Sequence, residues 1–369
     1  MGCWVFLGKF KIPLILVFNM IPDNIKKLLK KQHYEVAGKH SAVQICRWTK
    51  KSLREEGVCY KEQFYGIKSH LCCQMTPAVM WCPNKCVHCW RAIEHTLGDE
   101  LIGDVDSPSE IIDKCIEAQR KLLMGFKIDK DSKKKQLSRA NQKKWKEAQE
   151  PTQFAISLSG EPTVYEKLGD LIGELHRRGK TSFLVTNGLY PEKLKELKEK
   201  NQLPTQLYVS VNTSNKKLYG KFHRSSKKDA WEKLNETLEL LPDLAPNQVG
   251  LEEGVPHKSK VEGRCRTVFR MNLVKDLNMK DEHIKEYAEM IKKSQPMFVE
   301  LKGFMSVGFA RERLGYDRMP THDEMKKFSK KLVEELNKID VDMKILDEKI
   351  ESRVLVLGKN KKDLKIKGI

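Results

Sequence analysis

The chain has 369 residues, with 69 Lys and Arg against 50 Asp and Glu, and a formal net charge of +19. That length carries one large core or two modest ones, and 40% apolar residues with 8% aromatics exclude an intrinsically disordered chain. The basic surplus favours a polyanionic partner, although a solvated surface of charged amphipathic helices accounts for part of it.

Residues 4–18, WVFLGKFKIPLILVF, are apolar but broken by Lys9, Lys11 and Pro13. No run there is long enough to span a bilayer. A weak signal peptide is one reading. A misplaced start codon is the better one, because Met20 opens an amphipathic helix in MIPDNIKKLLKKQHYEV and secretion suits a chain of unpaired thiols poorly.

Buried strands are predicted at AVMWC (78–82), FAISLS (154–159), TSFLVT (181–186), LYVSV (207–211), TVFRMNLV (267–274) and MFVELKGF (297–304), short apolar runs rich in β-branched or aromatic residues. Helical patterns fall between them at 165–179, 191–201 and 280–294. Strands alternating with helices imply a parallel sheet with helices packed on it. Six such units predict an α/β fold of incomplete (β/α)6 TIM-like barrel type rather than a closed barrel of eight. Residues 127–150 are strongly basic and predict a solvated, phosphate-contacting arm, and 243–264, rich in Gly, Pro and charge, predict a surface excursion. After residue 320 a helix, THDEMKKFSKKLVEELNKI, precedes a terminal β-ribbon in MKILDEKIESRVLVL.

Ten cysteines are present, eight of them before residue 90. Such clustering in a long chain reads as reduced thiols that serve a metal or cluster rather than as a disulfide scaffold. Cys82, Cys86 and Cys89 form Cys-x3-Cys-x2-Cys at the predicted C-terminal end of the first strand, the end at which parallel β/α folds build their sites. His88 and His95 offer a zinc alternative. Cubane clusters normally take four cysteines, so three leave one iron open. This array resembles the signature of radical S-adenosylmethionine enzymes. The resemblance implies a [4Fe–4S] cluster on Cys82, Cys86 and Cys89, with S-adenosylmethionine chelated at the open iron. His88 departs from the Phe or Tyr common before the third cysteine. SGEPT, from Ser159 through Gly160, Glu161 and Pro162 to Thr163, resembles the superfamily's glycine–glutamate motif, where a strand-to-helix turn with Thr163 as N-cap is the bland alternative. Asn187 in TNG, and Ser210 and Asn212 in SVN, end the next two strands and are candidate cofactor contacts.

Cys46, Cys59 and Cys72 are spaced thirteen apart, twice; a zinc site with His70 is the local alternative, and Cys73 competes with Cys72. Cys115 and Cys265 read as packing residues, and Cys3 as no part of a site. Together with CYK (59–61), FYGI (64–67), WC and CW (81–90), AISLSGEPT (155–163), PTQLYVS (204–210), FVELKGFMSVG (298–308) and SRVLVL (352–357), this spacing resembles the archaeal tRNA 4-demethylwyosine synthases. The resemblance implies that N1-methylguanosine, 3′ of the anticodon in phenylalanine tRNA, condenses with pyruvate. The deoxyadenosyl radical takes hydrogen from the N-methyl group, the methylene radical attacks the pyruvate carbonyl carbon, formate leaves and a third ring closes. It also implies a second [4Fe–4S] cluster on Cys46, Cys59 and Cys72 that binds pyruvate, and a lysine that forms an imine with it. Lys61 is the first candidate and Lys302 the second.

Tyr219, Phe222 and Trp145 are candidate base-stacking residues, and basic stretches at 216–228 and 311–318 join 127–150 as candidate contacts with the tRNA anticodon loop. The chain divides into an extension at 1–19, a segment at 20–76 with the second-cluster ligands, a radical barrel at 77–320 and a C-terminal extension at 321–369. The whole reads as a cytoplasmic monomer, with no membrane, served by a separate electron-donor protein. Two other readings stay open: another radical enzyme such as a glycyl-radical activase, and a zinc-stabilised RNA-binding protein.

Overall fold

The computed structural model describes residues 4–7, 10–13, 20–127, 140–245 and 265–367. Strands β1 (Trp4–Leu7) and β2 (Phe10–Pro13) pair only with each other. The other ten form one sheet: β3 (Glu35–Ala37), β4 (Ser41–Val43), β5 (Cys72–Thr76), β6 (Gln153–Ile156), β7 (Thr181–Thr186), β8 (Gln206–Ser210), β9 (Arg266–Leu273), β10 (Phe298–Gly303), β11 (Lys344–Lys349) and β12 (Val354–Gly358). Their order is β11-β12-β10-β9-β8-β7-β6-β5-β4-β3. β5 to β10 run parallel in chain order, and antiparallel pairs extend both ends. Six parallel strands in sequence, in a sheet that ends at β11 and β3 rather than closing on itself, make the incomplete barrel. The terminal ribbon β11–β12 is part of this sheet through β12 and β10.

The first parallel strand is Cys72–Thr76, not 78–82. Residues 78–81 are buried, but Met80 has φ 72° and Trp81 makes only an isolated bridge to Gly98. An apolar run marks burial, and a tucked loop buries one as well as a strand does. Cys82 therefore lies in the loop beyond the strand, where its N–H donates to the Gly98 carbonyl at 2.8 Å.

Helices pack on both faces of the sheet. α1 (Asp23–Lys31) lies within the helix expected after Met20. α2 (Arg47–Leu53) and α3 (Tyr60–Tyr65) carry the segment between β4 and β5. α4 (Pro108–Leu123) starts with a Ser107/Glu110 capping box and a proline in its first turn. α5 (Gln142–Glu147) covers part of the expected basic arm, the rest of which lies outside the described residues. α6 (Leu168–Arg177), α7 (Pro191–Glu199), α8 (Lys216–His223), α9 (Ala230–Leu244) and α10 (Ile284–Ser294) link the parallel strands. α11 (Ala310–Leu314) and α12 (His322–Lys338) follow β10.

Alternation along each strand sorts residues between two cores. Phe269, Met271, Val299, Leu301, Leu355 and Leu357 belong to the large core shared with the helices. Phe183, Tyr208, Val268, Phe298 and Val356 form a second cluster on the other face, with Tyr60, Phe64 and Tyr65 of α3. α3 thus packs into the concave side of the sheet and brings Lys61 with it. No helix among the described residues is long and apolar enough to cross a membrane. The surface excursion expected at 243–264 lies, from residue 246, outside the described residues.

Candidate active site

The loop after β5 carries Cys82, Cys86 and Cys89, all half-buried and free. Arg91, buried to 2% exposure, anchors this loop from behind. It donates to the carbonyls of Met80 (3.3 Å) and Asn84 and to Thr96 Oγ1 (3.0 Å). Arg313 of α11 donates to the carbonyls of Val87 (3.2 Å) and Cys89. Burial pushes the Cys82 thiol up to about 11 while the Arg91 charge pulls it back. Burial also raises Cys86, and nearby Cys89 and Cys82 add to it. Three sulfurs that sense one another beside a buried guanidinium suit an iron–sulfur cluster, whose irons displace the thiol protons. Among the described residues no group of three or more His, Cys, Asp or Glu is arranged to hold a single metal ion. A cubane differs because it takes each thiolate on a separate iron.

His88 packs against the rings of Phe222 and His223. Its ring lies 4.9 Å from Phe222 of α8, and burial lowers its pKa to about 3, aided by Arg270 and Arg313. His223 Nδ1 sits 3.1 Å from Cys86 Sγ. Tyr219 and Phe222 are 4% and 2% exposed, packed among these rings, so they are core residues rather than base-stacking ones. Trp145 is half-buried, and its indole N–H donates to the Leu123 carbonyl at 2.9 Å, which ties α5 to α4.

The predicted rim converges on Glu161. Its buried carboxylate accepts from the Thr163 amide (3.2 Å), Thr163 Oγ1 (2.7 Å), Thr186 Oγ1 (2.7 Å) and the Asn187 amide (2.8 Å). These bonds join the loops after β6 and β7, and they offset the upward push of burial on its pKa. The Glu161 side chain, not Thr163, caps the short turn Pro162–Val164, so the N-cap reading of Thr163 is replaced. Gly160 has φ +82°, and a Cβ there would stand 1.9 Å from the Ala78 carbonyl oxygen, so the turn presses directly on the cysteine loop. The Ser159 hydroxyl lies 3.9 Å from Met80 Sδ, and Asn187 Nδ2 lies 3.9 Å from Cys82 Sγ. Ser210 ends β8 opposite Arg270. Asn212 is buried and accepts from the Asn272 amide at 2.8 Å, a stitch between β8 and β9.

The second trio is drawn together from three elements. Cys46 and Cys59 are the N-caps of α2 and α3, and Cys72 opens β5. Cys46 Sγ accepts from the Thr49 amide at 3.3 Å, and Cys59 Sγ from the Lys61 amide at 3.5 Å. Burial pushes Cys59 up to about 12, with Cys46 adding to it and Lys61 opposing. Burial likewise raises Cys72, which senses Cys46, Lys61 and Cys59. Cys73, the next residue on the strand, faces the opposite core beside Cys115. His70 Nε2 is paired to Glu147 at 2.8 Å. Cys115 and Cys265 are buried packing residues, as expected, and Cys3 lies outside the described residues.

Both candidate lysines face the concave interior. Lys61 Nζ lies 4.5 Å from the Tyr208 ring centroid and 4.9 Å from that of Phe183, and Lys302 Nζ lies 5.8 Å from that of Tyr60. Burial, reinforced by Arg270, lowers both ammonium pKa values, that of Lys302 to about 8. A lowered value makes a neutral, nucleophilic amine available near neutral pH. Sequence reasoning missed Arg270 and Glu300. Their signal was a charged residue inside each of the apolar runs TVFRMNLV and MFVELKGF, at positions that strand alternation turns inward. Arg91 and His223 had no signal beyond residue type.

Similarity to known proteins is extensive. The radical SAM superfamily matches residues 77–251, and the wyosine base formation family matches residues 293–359. The S-adenosyl-L-methionine-dependent tRNA 4-demethylwyosine synthase of Pyrococcus horikoshii is 41% identical over 349 residues, 95% of this chain and 92% of that one. Its counterpart from Methanocaldococcus jannaschii is 33% identical, over 92% and 96% of the two chains. A solved structure of TYW1 with a lysine–pyruvate adduct bound superposes with a TM-score of 0.75 at 32% identity, covering 94% of this chain and 99% of that one. Sequence identity of 41% sustained along 95% of its length means that this chain belongs to the S-adenosyl-L-methionine-dependent tRNA 4-demethylwyosine synthase family, within the radical SAM superfamily.

Proposed function

We propose that the protein condenses N1-methylguanosine, 3′ of the anticodon in phenylalanine tRNA, with pyruvate to form tricyclic 4-demethylwyosine. Formate, methionine and 5′-deoxyadenosine are released, and the reaction is of the carbon–carbon lyase class. The observation that carries this reading is the meeting of two separate cysteine trios with two low-pKa lysines around one sheet. Cys82, Cys86 and Cys89 would hold one [4Fe–4S] cluster, and Cys46, Cys59 and Cys72 a second. When bound and reduced, the first supplies the electron for cleavage of S-adenosylmethionine.

The chain's own residues bind and orient. Gly160 brings the backbone of the Ser159–Thr163 turn against the cysteine loop, and Glu161 holds that turn to the loop carrying Asn187. Ser210 and Asn212 extend the rim. Lys61 attacks the pyruvate ketone as a neutral amine; water leaves and an imine holds the keto acid on α3. The lysine–pyruvate adduct of the solved TYW1 structure supports this role. Lys302, across the interior on β10, is the second candidate. The net charge of +19 suits docking on the anticodon arm through phosphates. The protein would act in the cytoplasm as a monomer, with electrons from a separate donor protein. Segments 20–76 and 321–369 would flank the radical barrel, and residues 1–19 would be an extension outside the working fold.

The test is anaerobic. Reconstituted protein is incubated with methylated tRNA, pyruvate, S-adenosylmethionine and a reductant, and the tRNA is digested to nucleosides. The tricyclic nucleoside is the expected product; its absence with both clusters intact refutes the proposal.

A further inference from the structure

The concave interior holds three cations and too little negative charge. Lys61, Arg270 and Lys302 project there from α3, β9 and β10, with Arg270 opposite Ser210 and Glu300 in the strand register. Glu300 is fully buried, and its two oxygens already accept from Tyr60 OH (3.2 Å) and Tyr65 OH (2.5 Å). Arg270 Nε approaches Glu300 only to 4.0 Å, beyond hydrogen-bond range. Among the described residues no side chain or carbonyl accepts a hydrogen bond from Arg270. Its other neighbour is the Tyr208 ring, 5.9 Å from the guanidinium carbon. A guanidinium is charged at every working pH and carries five donors in a planar fork that matches a carboxylate. The side chain keeps 22% exposure, so these donors face the solvent-reached interior and stand open to a small anion.

Resting on the keto-acid reading of the site, we infer that Arg270 is the carboxylate anchor of the interior: it pairs with the carboxylate of a small 2-oxo acid and presents the ketone to Lys61. The placement is specific. Arg270 and Lys61 both lie over the Tyr208 ring, with the guanidinium carbon 5.9 Å and Nζ 4.5 Å from its centroid. Glu300, pinned by its two phenols, holds the guanidinium side of the site without closing the fork.

S-Adenosylmethionine also carries a carboxylate, so the experiment has separate arms. Anaerobic holoprotein is titrated with labelled pyruvate and, in parallel, with methyl pyruvate, which keeps the ketone but loses the charge. Cyanoborohydride adds hydride to the imine left after water departs, and the resulting secondary amine is counted by intact mass. Arg270→Gln should raise the half-saturating pyruvate concentration by about 10- to 100-fold, the loss expected for a charge-assisted pair. Half-saturation by methyl pyruvate and the affinity for S-adenosylmethionine should stay within about twofold. Arg270→Lys, which keeps charge without the fork, should fall between. Pyruvate saturation unchanged in Arg270→Gln, equal weakening of the ester, or loss confined to S-adenosylmethionine overturns the anchor. If Arg270→Gln fails to fold, Arg270→Lys decides: wild-type selectivity for pyruvate over its ester overturns the anchor, and reduced selectivity supports it. A wild-type protein that traps no pyruvate overturns the keto-acid reading itself, and the anchor with it.

Discussion

Gly160→Ala is the sharpest probe of how the cysteine loop is held. Two costs arise from the structure. The backbone at Gly160 has φ +82°, a left-handed conformation that costs a residue with a Cβ about 1 kcal/mol. The added carbon would also stand 1.9 Å from the Ala78 carbonyl oxygen and 2.8 Å from that of Trp81. Both contacts are backbone, so no side chain can swing aside. The loop cannot slide freely either, because the Glu161 amide donates to the Trp81 carbonyl at 2.7 Å. Overpacking of this kind costs about 1–3 kcal/mol, which gives a combined loss of about 2–4 kcal/mol. The assay is urea denaturation of metal-free protein under argon, followed by circular dichroism, with iron measured separately after reconstitution. Gly125→Ala is the control, because a Cβ there meets nothing within 4 Å; it should change stability by less than about 0.5 kcal/mol. On the proposed two-cluster reading, Gly160→Ala should also lose about half of the bound iron, since the displaced loop would carry one of the two. If it matches Gly125→Ala in both stability and iron, the turn does not support the cysteine loop and the reasoning fails.

Two further outcomes test the remaining claims. Replacing Cys46, Cys59 and Cys72 together by alanine should lower reconstituted iron from about eight to about four per chain while the absorbance of the first cluster persists; unchanged iron refutes a second cluster. On the surface, Glu174 is paired with Arg177 and Arg178, and their hydrogen bonds hold its pKa down at about 2. A depressed carboxylate contributes stability above its unfolded value and loses it as pH falls from about 4.5 towards 2. Solvent screening keeps that contribution below about 1 kcal/mol. Denaturation midpoints should therefore show a small excess of wild type over Glu174→Gln at pH 6 that shrinks below about pH 4.5 and is gone only below about pH 2, and an excess that grows on acidification refutes the linkage.

Much of the architecture was legible because it rests on local pattern. Five of the six predicted strands fall on β6 to β10, apart from the first, and the helices between them follow apolar spacing with recognisable starts, such as Thr321 and Glu324 at α12. The missed strand shows the limit. AVMWC is apolar because it is buried under the rim, and CCQMT, which is less apolar, is the strand. The aromatic residues between the lysines of 216–228 show a second limit. Tyr219 and Phe222 could face RNA or core, and only the packing of α8 against His88 and His223 places them inside.

The available chemistry is legible in local residues: two sets of three thiols, a Gly–Glu turn, and short apolar runs alternating with helical patterns that imply a parallel sheet. Spacing within a loop is covalent, so Cys82, Cys86 and Cys89 were legible as one unit. What only the tertiary structure decided is convergence across distant segments. Cys46, Cys59 and Cys72 meet because two helix starts and a strand start pack together, and Lys61, Arg270 and Lys302 share one interior because strand register and the docking of α3 turn them the same way. The docking of α3 rests on hydrogen bonds from Tyr60 and Tyr65 to Glu300, more than two hundred positions away, a distance over which no local pattern carries information.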